Sequence, residues 1–253
     1  MLGALLGLLS QAPASWLASA VLQASGGHLL LAEARGTLWT GSAVAVLSGG
    51  SGSRDAAALP GRLQWRLRPA WRGLAPALDL ALEHPGHSRG PLQLALSPRW
   101  RGFELVLQAT PQAPLQWQWP ASWLAGLGTP WNTLQLGGQL LLHSPGLRLQ
   151  SQQGRLQLDG ALVLELHRAS SRLSPLPALG SYRLALEGSG GATRLHLATL
   201  GGALRLSGEG QPAGAGWRFR GLAEAAPGHE AALANLLNII GRRQGAQSVI
   251  SIG

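Results

Sequence analysis

Residues 61–68 are Gly-Arg-Leu-Gln-Trp-Arg-Leu-Arg, and from Leu63 onward apolar and polar side chains alternate. In a β-strand successive side chains point to opposite faces, so this period of two places Leu63, Trp65 and Leu67 on one apolar face. Short intervals rich in Gly, Pro and Ser separate the alternating segments, which is typical of antiparallel hairpins. The same alternation recurs at 92–96, 103–108, 115–119, 147–149, 156–158, 182–186, 195–197 and 204–206.

The pattern predicts a mainly β fold with few short helices. One helix is expected after Pro13, where apolar residues recur at helical spacing, and a second over 229–243. With so little helix to cover it, an antiparallel sheet is expected to cover its own apolar face. We therefore predict a sheet rolled into a sandwich or an open trough or half-barrel.

The chain contains an internal duplication. The hexapeptide Pro-Ala-Ser-Trp-Leu-Ala occurs at 13–18 and again at 120–125, and each copy is followed by Gly-Thr-x-Trp. Two similar β-rich halves, 13–119 and 120–253, are therefore predicted to form one compact unit. Residues 1–12 begin with an almost wholly apolar run, interpreted as the distal end of a truncated membrane helix or as an apolar N-terminal turn.

The charge composition is unusual. The 253 residues carry a net charge of +9, and all 20 basic side chains besides histidine are Arg. Nucleic-acid-binding chains usually cluster their basic residues, whereas these arginines are dispersed along the sequence. We therefore expect no nucleic-acid partner, and we expect proximity to an anionic membrane surface. With no Cys there is no disulfide, thiolate nucleophile or zinc finger.

No motif predicts an enzyme, and no catalytic, cofactor-binding or metal-binding residue is assigned. His84-Pro85-Gly86-His87 is the only cluster with metal-like content, and its Pro-Gly turn favours a surface loop. No Gly-x-Ser-x-Gly nucleophile elbow stands between a predicted strand and a predicted helix, and the Gly-rich stretch 49–53 lacks the Lys-Ser/Thr of a phosphate-binding loop. The ten Trp residues include pairs at equivalent positions of the repeat, which favours a packing role over ligand binding.

These motifs resemble the type II secretion system protein N family. The matching stretches are 13–18 with 36–41, then 59–69, 119–133, 170–183 and 236–253, so the resemblance covers the chain from about residue 10 to its end. The motif residues, for which we expect structural roles, are Trp16, Trp39, Trp65, Trp123, Trp131, Asn132, Ser171, Arg172, Tyr182 and Arg242.

The resemblance implies a single-pass protein of the inner membrane with a periplasmic β-rich domain and no enzymatic activity. Its partners would be other inner-membrane components of the secretion machinery. The alternative hypothesis is a lipid-binding or lipid-transfer trough lined by leucine, since most inward positions are Leu. An outer-membrane barrel is disfavoured by the scarcity of Tyr and Phe and by the short alternating segments.

Overall fold

The computed structural model describes residues 11–109, 114–152, 155–214 and 216–253. These residues form mainly antiparallel β-structure with few short helices, which confirms the predicted fold class. They fall into two compact units. Of the described residues, the first unit contains 11–108, 123–133 and 152, and the second contains the remainder.

The first unit pairs its strands in the order β1-β2-β4-β5-β6-β7, with β3 also on β2. All the pairs are antiparallel, as the short hairpin connections predict. The strands are β1 (Leu29–Gly36), β2 (Thr40–Ser48), β3 (Ala56–Ala58), β4 (Leu63–Arg72), β5 (Ala75–Glu83), β6 (Leu92–Arg99) and β7 (Gly102–Leu107).

Helix α1 (Ala14–Ala24) lies over one end of this sheet. Its Ala14 packs with three strand residues, Leu31, Ala43 and Trp65, in a buried cluster. The register Gly41↔Trp65 places these strand side chains on a common face. A helix of 11 residues is only about 16 Å long, so it covers a few strands spaced about 4.8 Å apart and not the whole sheet.

The second unit pairs its strands in the order β9-β10-β11-β12-β13-β14-β16-β15, with β8 on β9. This order does not close on itself. The strands are β8 (Leu115–Pro120), β9 (Leu136–Gln152), β10 (Arg155–Ser171), β11 (Gly180–Ser189), β12 (Ala192–Gly202), β13 (Leu204–Ala213), β14 (Gly216–Ala225), β15 (Arg242–Gln244) and β16 (Gln247–Ile252).

A short helix also covers the core of the second unit. The described connections contain a 3₁₀ helix (Ala121–Leu127) and α2 (Trp131–Leu134), and α3 (Glu230–Ile240) follows β14. Leu233, Leu236 and Leu237 of α3 are almost wholly buried against the sheet. At both main cores a short helix therefore contributes to covering the apolar side of the sheet, since its buried residues pack with residues of several strands.

The C-terminal helix is shorter than the predicted 229–243. It ends at Ile240 because Gly241 takes an extended conformation (φ −168°, ψ 178°), after which Arg242 and Arg243 pair with β16. Among the described residues, no helix has the length and apolar character needed to cross a bilayer. The apolar run Met1–Leu9 lies outside the described residues.

Candidate functional site

Trp65 is the centre of the motif residues in the first unit. Its side chain is 3% exposed, and its indole Nε1 donates to the backbone oxygens of Thr37 (3.3 Å) and Leu38 (3.1 Å). A Cβ at Gly41 would lie 2.8 Å from Cε2 of the indole, so β2 approaches the ring as closely as it does because residue 41 has no side chain. Trp65 therefore holds a turn to the sheet.

That turn belongs to the first Gly-Thr-x-Trp motif. Leu38 donates its backbone N–H to the Ala12 oxygen at 2.7 Å, and Pro13 forms an isolated bridge with Thr37. Trp39 accepts a backbone hydrogen bond from Leu67 at 2.7 Å. The first hexapeptide, its Gly-Thr-x-Trp and strand β4 are thus joined as one packed group.

Trp16 differs from the other motif residues of this group. Its side chain is 58% exposed, whereas Ala14 of the same hexapeptide is buried and Leu17 and Ala18 pack against the buried cluster. A packing role inside the sheet therefore does not account for this tryptophan.

The second hexapeptide copy has a different local structure. It forms a 3₁₀ helix where the first copy begins an α-helix, so identical sequences have different conformations. The Asn132 side chain donates from Nδ2 to the Asp55 carboxylate at 3.0 Å, within the first unit.

The two tryptophans of this stretch have different environments. Trp123 is half-buried in the 3₁₀ helix and Trp131 begins α2 at the surface. The predicted halves rest on sequence similarity and stay a prediction.

Ser171 and Tyr182 anchor the motif of the second unit. The buried Ser171 hydroxyl donates to the Leu134 backbone oxygen and accepts the Leu173 N–H at 3.2 Å. Tyr182 is 6% exposed, and its Oη donates to the Leu204 oxygen at 3.0 Å. Burial raises the pKa of this phenol far above its usual value, because the phenolate would lose its hydration.

Arg172 and Arg242 are exposed, in contrast to these anchors. Arg172 begins the loop after β10, and Arg242 lies in the short strand β15. The ten motif residues therefore do not converge on one site. Trp65 fastens a turn to a strand and Ser171 fastens α2 to the end of β10. The exposed motif residues remain available for contact.

A polar cluster that sequence analysis missed lies on β10 and β11. The Glu165 carboxylate accepts from His167 (2.7 Å) and from Arg183 Nε (2.8 Å). Burial pushes the pKa of Glu165 upward, but the hydrogen bonds and charges of His167 and Arg183 outweigh it and lower the pKa overall. The i, i+2 spacing places Glu165 and His167 on the same face of a strand, and this part of the cluster could have been predicted from the sequence. The pairing of Glu165 with Arg183 could not, because it depends on the register between β10 and β11.

The His84–His87 segment is only partly the surface loop that was predicted. Pro85 and Gly86 are exposed, but the His84 ring is fully buried and lies against Gly61, with the His87 ring centroid 4.6 Å away. Burial lowers the pKa of His84, and the neighbouring His87 lowers it further. Among the described residues, no group of three or more His, Cys, Asp or Glu side chains is arranged to hold a metal ion.

Comparison with known proteins identifies a family for this chain. A family model described as type II secretion system (T2SS), protein N, matches residues 27–252. No curated protein and no solved structure matches the chain at a significant level. The match agrees with the resemblance found in the motifs, and it does not support the alternative of a lipid-binding trough.

Proposed function

This chain belongs to the type II secretion system protein N family, and from that premise we propose that it is a non-enzymatic accessory component of the secretion machinery at the inner membrane. The observation that carries the proposal is the family match, because it extends over nearly the whole described chain and not over one motif.

The proposal includes a topology. The β-rich units face the periplasm, and a single N-terminal segment anchors the protein in the inner membrane. The family points to a component associated with the cell envelope. The absence of cysteine is compatible with an oxidising compartment, since no thiol is available for unwanted pairing.

We propose that the protein acts through contacts with other components of the secretion machinery. The loop between β10 and β11 supports this proposal because it is fixed at its base and carries several exposed residues. Ser171 and Leu179 at its two ends are buried, while Arg172, Pro177 and Ala178 between them are exposed. The backbone N–H of Leu179 bonds to the Ala169 oxygen at 2.6 Å, which closes the loop. A loop closed in this way presents its side chains with little loss of conformational entropy on binding.

Site-specific crosslinking tests the contact. A photo-crosslinking amino acid at Arg172 or at Ala178, in the full chain in its native host, is expected to capture inner-membrane secretion components identified by mass spectrometry. The same amino acid at Leu200, an exposed position on β12, is the matched control. Equal capture from all three positions, or capture of unrelated proteins alone, contradicts the proposed surface.

A clean deletion tests the role itself. Loss of the protein is expected to lower export of the folded substrates of the system, and the wild-type chain supplied in trans is expected to restore it. Unchanged export in the deletion strain contradicts the accessory role, whatever the crosslinking result.

A further inference from the structure

The apolar face of the first unit continues beyond the helix that covers it. Trp65, which packs in the cluster beneath α1, is paired across the sheet with Leu82 on β5, so both side chains lie on this face. Along β4 and β5 it extends to the pair Trp71↔Pro76 at the end of their hairpin. Since α1 covers only a few strands, the far end of this face has no covering helix among the described residues.

Two hairpins end side by side at this uncovered place. The β4–β5 hairpin turns through Gly73 and Leu74, and the β6–β7 hairpin turns through Trp100 and Arg101. Because β5 pairs with β6 in the register Leu78↔Leu96, both turns lie at the same end of the sheet, about 10 Å apart. We call these two turns and their flanking residues, 69–78 and 96–103, the hairpin tips.

The hairpin tips expose large apolar side chains. Leu74 is 99% exposed, Trp100 is 88% exposed and Trp71 is 73% exposed. Behind them lies a shallow groove of about 420 Å³ that is lined almost entirely by apolar atoms. Its lining includes Pro69, Trp71, Pro76, Leu78, Leu96 and Phe103. Large exposed apolar side chains grouped beside an apolar groove are typical of a binding surface.

The charges around the hairpin tips are predominantly positive. Arg72 is bound to Asp79 at 2.7 Å, and Arg99 is bound to Glu104. These are the two carboxylates in this part of the sheet, whereas Arg68 and Arg101 add two further positive charges. An excess of arginine beside protruding Trp and Leu side chains matches an anionic lipid surface, where indoles settle at the headgroup level and basic side chains bind phosphates.

We propose that the hairpin tips insert into the headgroup region of an anionic bilayer. Leu74 and Trp100 would enter the boundary between headgroups and acyl chains, while Arg101 and Arg68 would bind lipid phosphates. A bilayer fits this surface better than a protein does, because the apolar groups protrude at the ends of two-residue turns and do not form an enclosed pocket. The inference does not depend on the proposed secretion role.

A reporter placed at the tip tests insertion directly. The natural chain has no cysteine, so Leu74→Cys in the full protein can be labelled at one site with an environment-sensitive fluorophore. On vesicles of phosphatidylglycerol and phosphatidylethanolamine, its emission is expected to rise and shift to the blue. The matched control is labelled Leu200→Cys, which lies on β12 of the second unit and should show no change. No change at position 74 overturns the proposal, even if the protein binds vesicles through another segment.

Affinity measurements separate the apolar and the charged parts of the contact. Leu74→Asp with Trp100→Ser is expected to weaken vesicle binding about tenfold or more, through the loss of buried apolar area. Leu200→Asp with Trp217→Ser, at exposed positions of the second unit, should leave binding unchanged. Arg101→Glu should weaken binding about fivefold or more on anionic vesicles and have no effect on phosphatidylcholine vesicles.

Circular dichroism of each variant verifies that it is folded. Wild-type affinity in the Leu74→Asp/Trp100→Ser variant overturns the proposal. The proposal is also overturned if the hairpin tips do not bind vesicles but crosslink to a protein, because the surface would then be a protein contact.

Discussion

At the residue scale, two buried ring side chains have different consequences for pH. His84 is buried and its pKa is lowered by burial and by His87, so the fold favours the neutral ring. Tyr182 is also buried, and its pKa is raised because the fold favours the neutral phenol. In both cases the unfolded chain ionises more readily than the folded chain, but at opposite ends of the pH scale.

Acidification is expected to destabilise the protein through His84. Its folded pKa lies below the ordinary imidazole value of about 6.5, so the stabilisation is complete above that pH and is lost as the pH falls below it. Thermal unfolding at several pH values is the measurement. His84→Leu should flatten the dependence, while His196→Gln, at an exposed position, should keep the wild-type slope. If stability depends on pH in His84→Leu as it does in the wild type, groups other than His84 cause the pH dependence.

Alkaline titration should leave the phenol of the folded protein neutral. Tyr182 is the single tyrosine of the chain, so the ultraviolet phenolate signal reports it alone. The signal should be absent in the folded protein at pH values where a free phenol, with a pKa of about 10, is ionised, and should appear on denaturation. Stability should therefore fall as the pH rises through the unfolded value.

Replacing the phenol tests the hydrogen bond of the same residue. Tyr182→Phe should lower the free energy of unfolding by about 1 kcal/mol, because the bond to Leu204 is lost. Denaturant unfolding at neutral pH measures it. If the variant is as stable as the wild type, the hydrogen bond makes no net contribution to the free energy of unfolding.

At the element scale, short helices determine which parts of the sheets are shielded from solvent. Helix α3 buries Leu233, Leu236 and Leu237 but leaves Ile239 exposed. The sequence predicted this helix correctly, because the three buried leucines follow the spacing of three and four residues that defines one side of any helix. The end of the helix was predicted wrongly, since Arg242 and Arg243 are compatible with a helical last turn and with a charged edge strand.

Truncation on the two sides of α3 should have unequal effects. Leu237→Ala should lower the free energy of unfolding by about 2–5 kcal/mol, because it leaves a cavity in the core of the second unit. Ile239→Ala on the same helix should change it by less than about 1 kcal/mol, since the side chain is largely exposed. Chemical denaturation followed by far-ultraviolet circular dichroism measures both. Equal losses would indicate that α3 does not form the cover of this core.

At the scale of the whole molecule, the positive charge is spread along many strands and not gathered in one stripe. Arginines alternate with apolar residues on β4, and others are bound to carboxylates on neighbouring strands. The hairpin tips are one place where a local excess accompanies exposed indoles. The net charge of +9 therefore predicts attraction to anionic surfaces in general, and the hairpin tips add exposed apolar groups that can insert.

Dispersed charge should give weak binding to DNA. Few phosphates can be contacted at one time, so affinity for duplex DNA at physiological salt should be no tighter than the non-specific range of about 10⁻⁴–10⁻⁶ M. Fluorescence anisotropy of a labelled duplex across a salt series measures it. Leu74→Asp with Trp100→Ser, which should weaken vesicle binding, should not alter binding to DNA. A tight and sequence-selective complex would contradict this prediction.

The sequence by itself determined the mainly antiparallel β fold, the two helices and the family. Alternation and helical spacing are local properties, and the long motifs do not depend on distant contacts. The tertiary structure alone decided that Trp65 fastens a turn, that one hexapeptide forms two kinds of helix, and that His84 is buried. It also decided that Trp71, Leu74 and Trp100 lie at the same exposed end of a sheet. Each of these depends on strand register and on which patch a short helix covers, and the chain encodes both only through residues far apart in sequence.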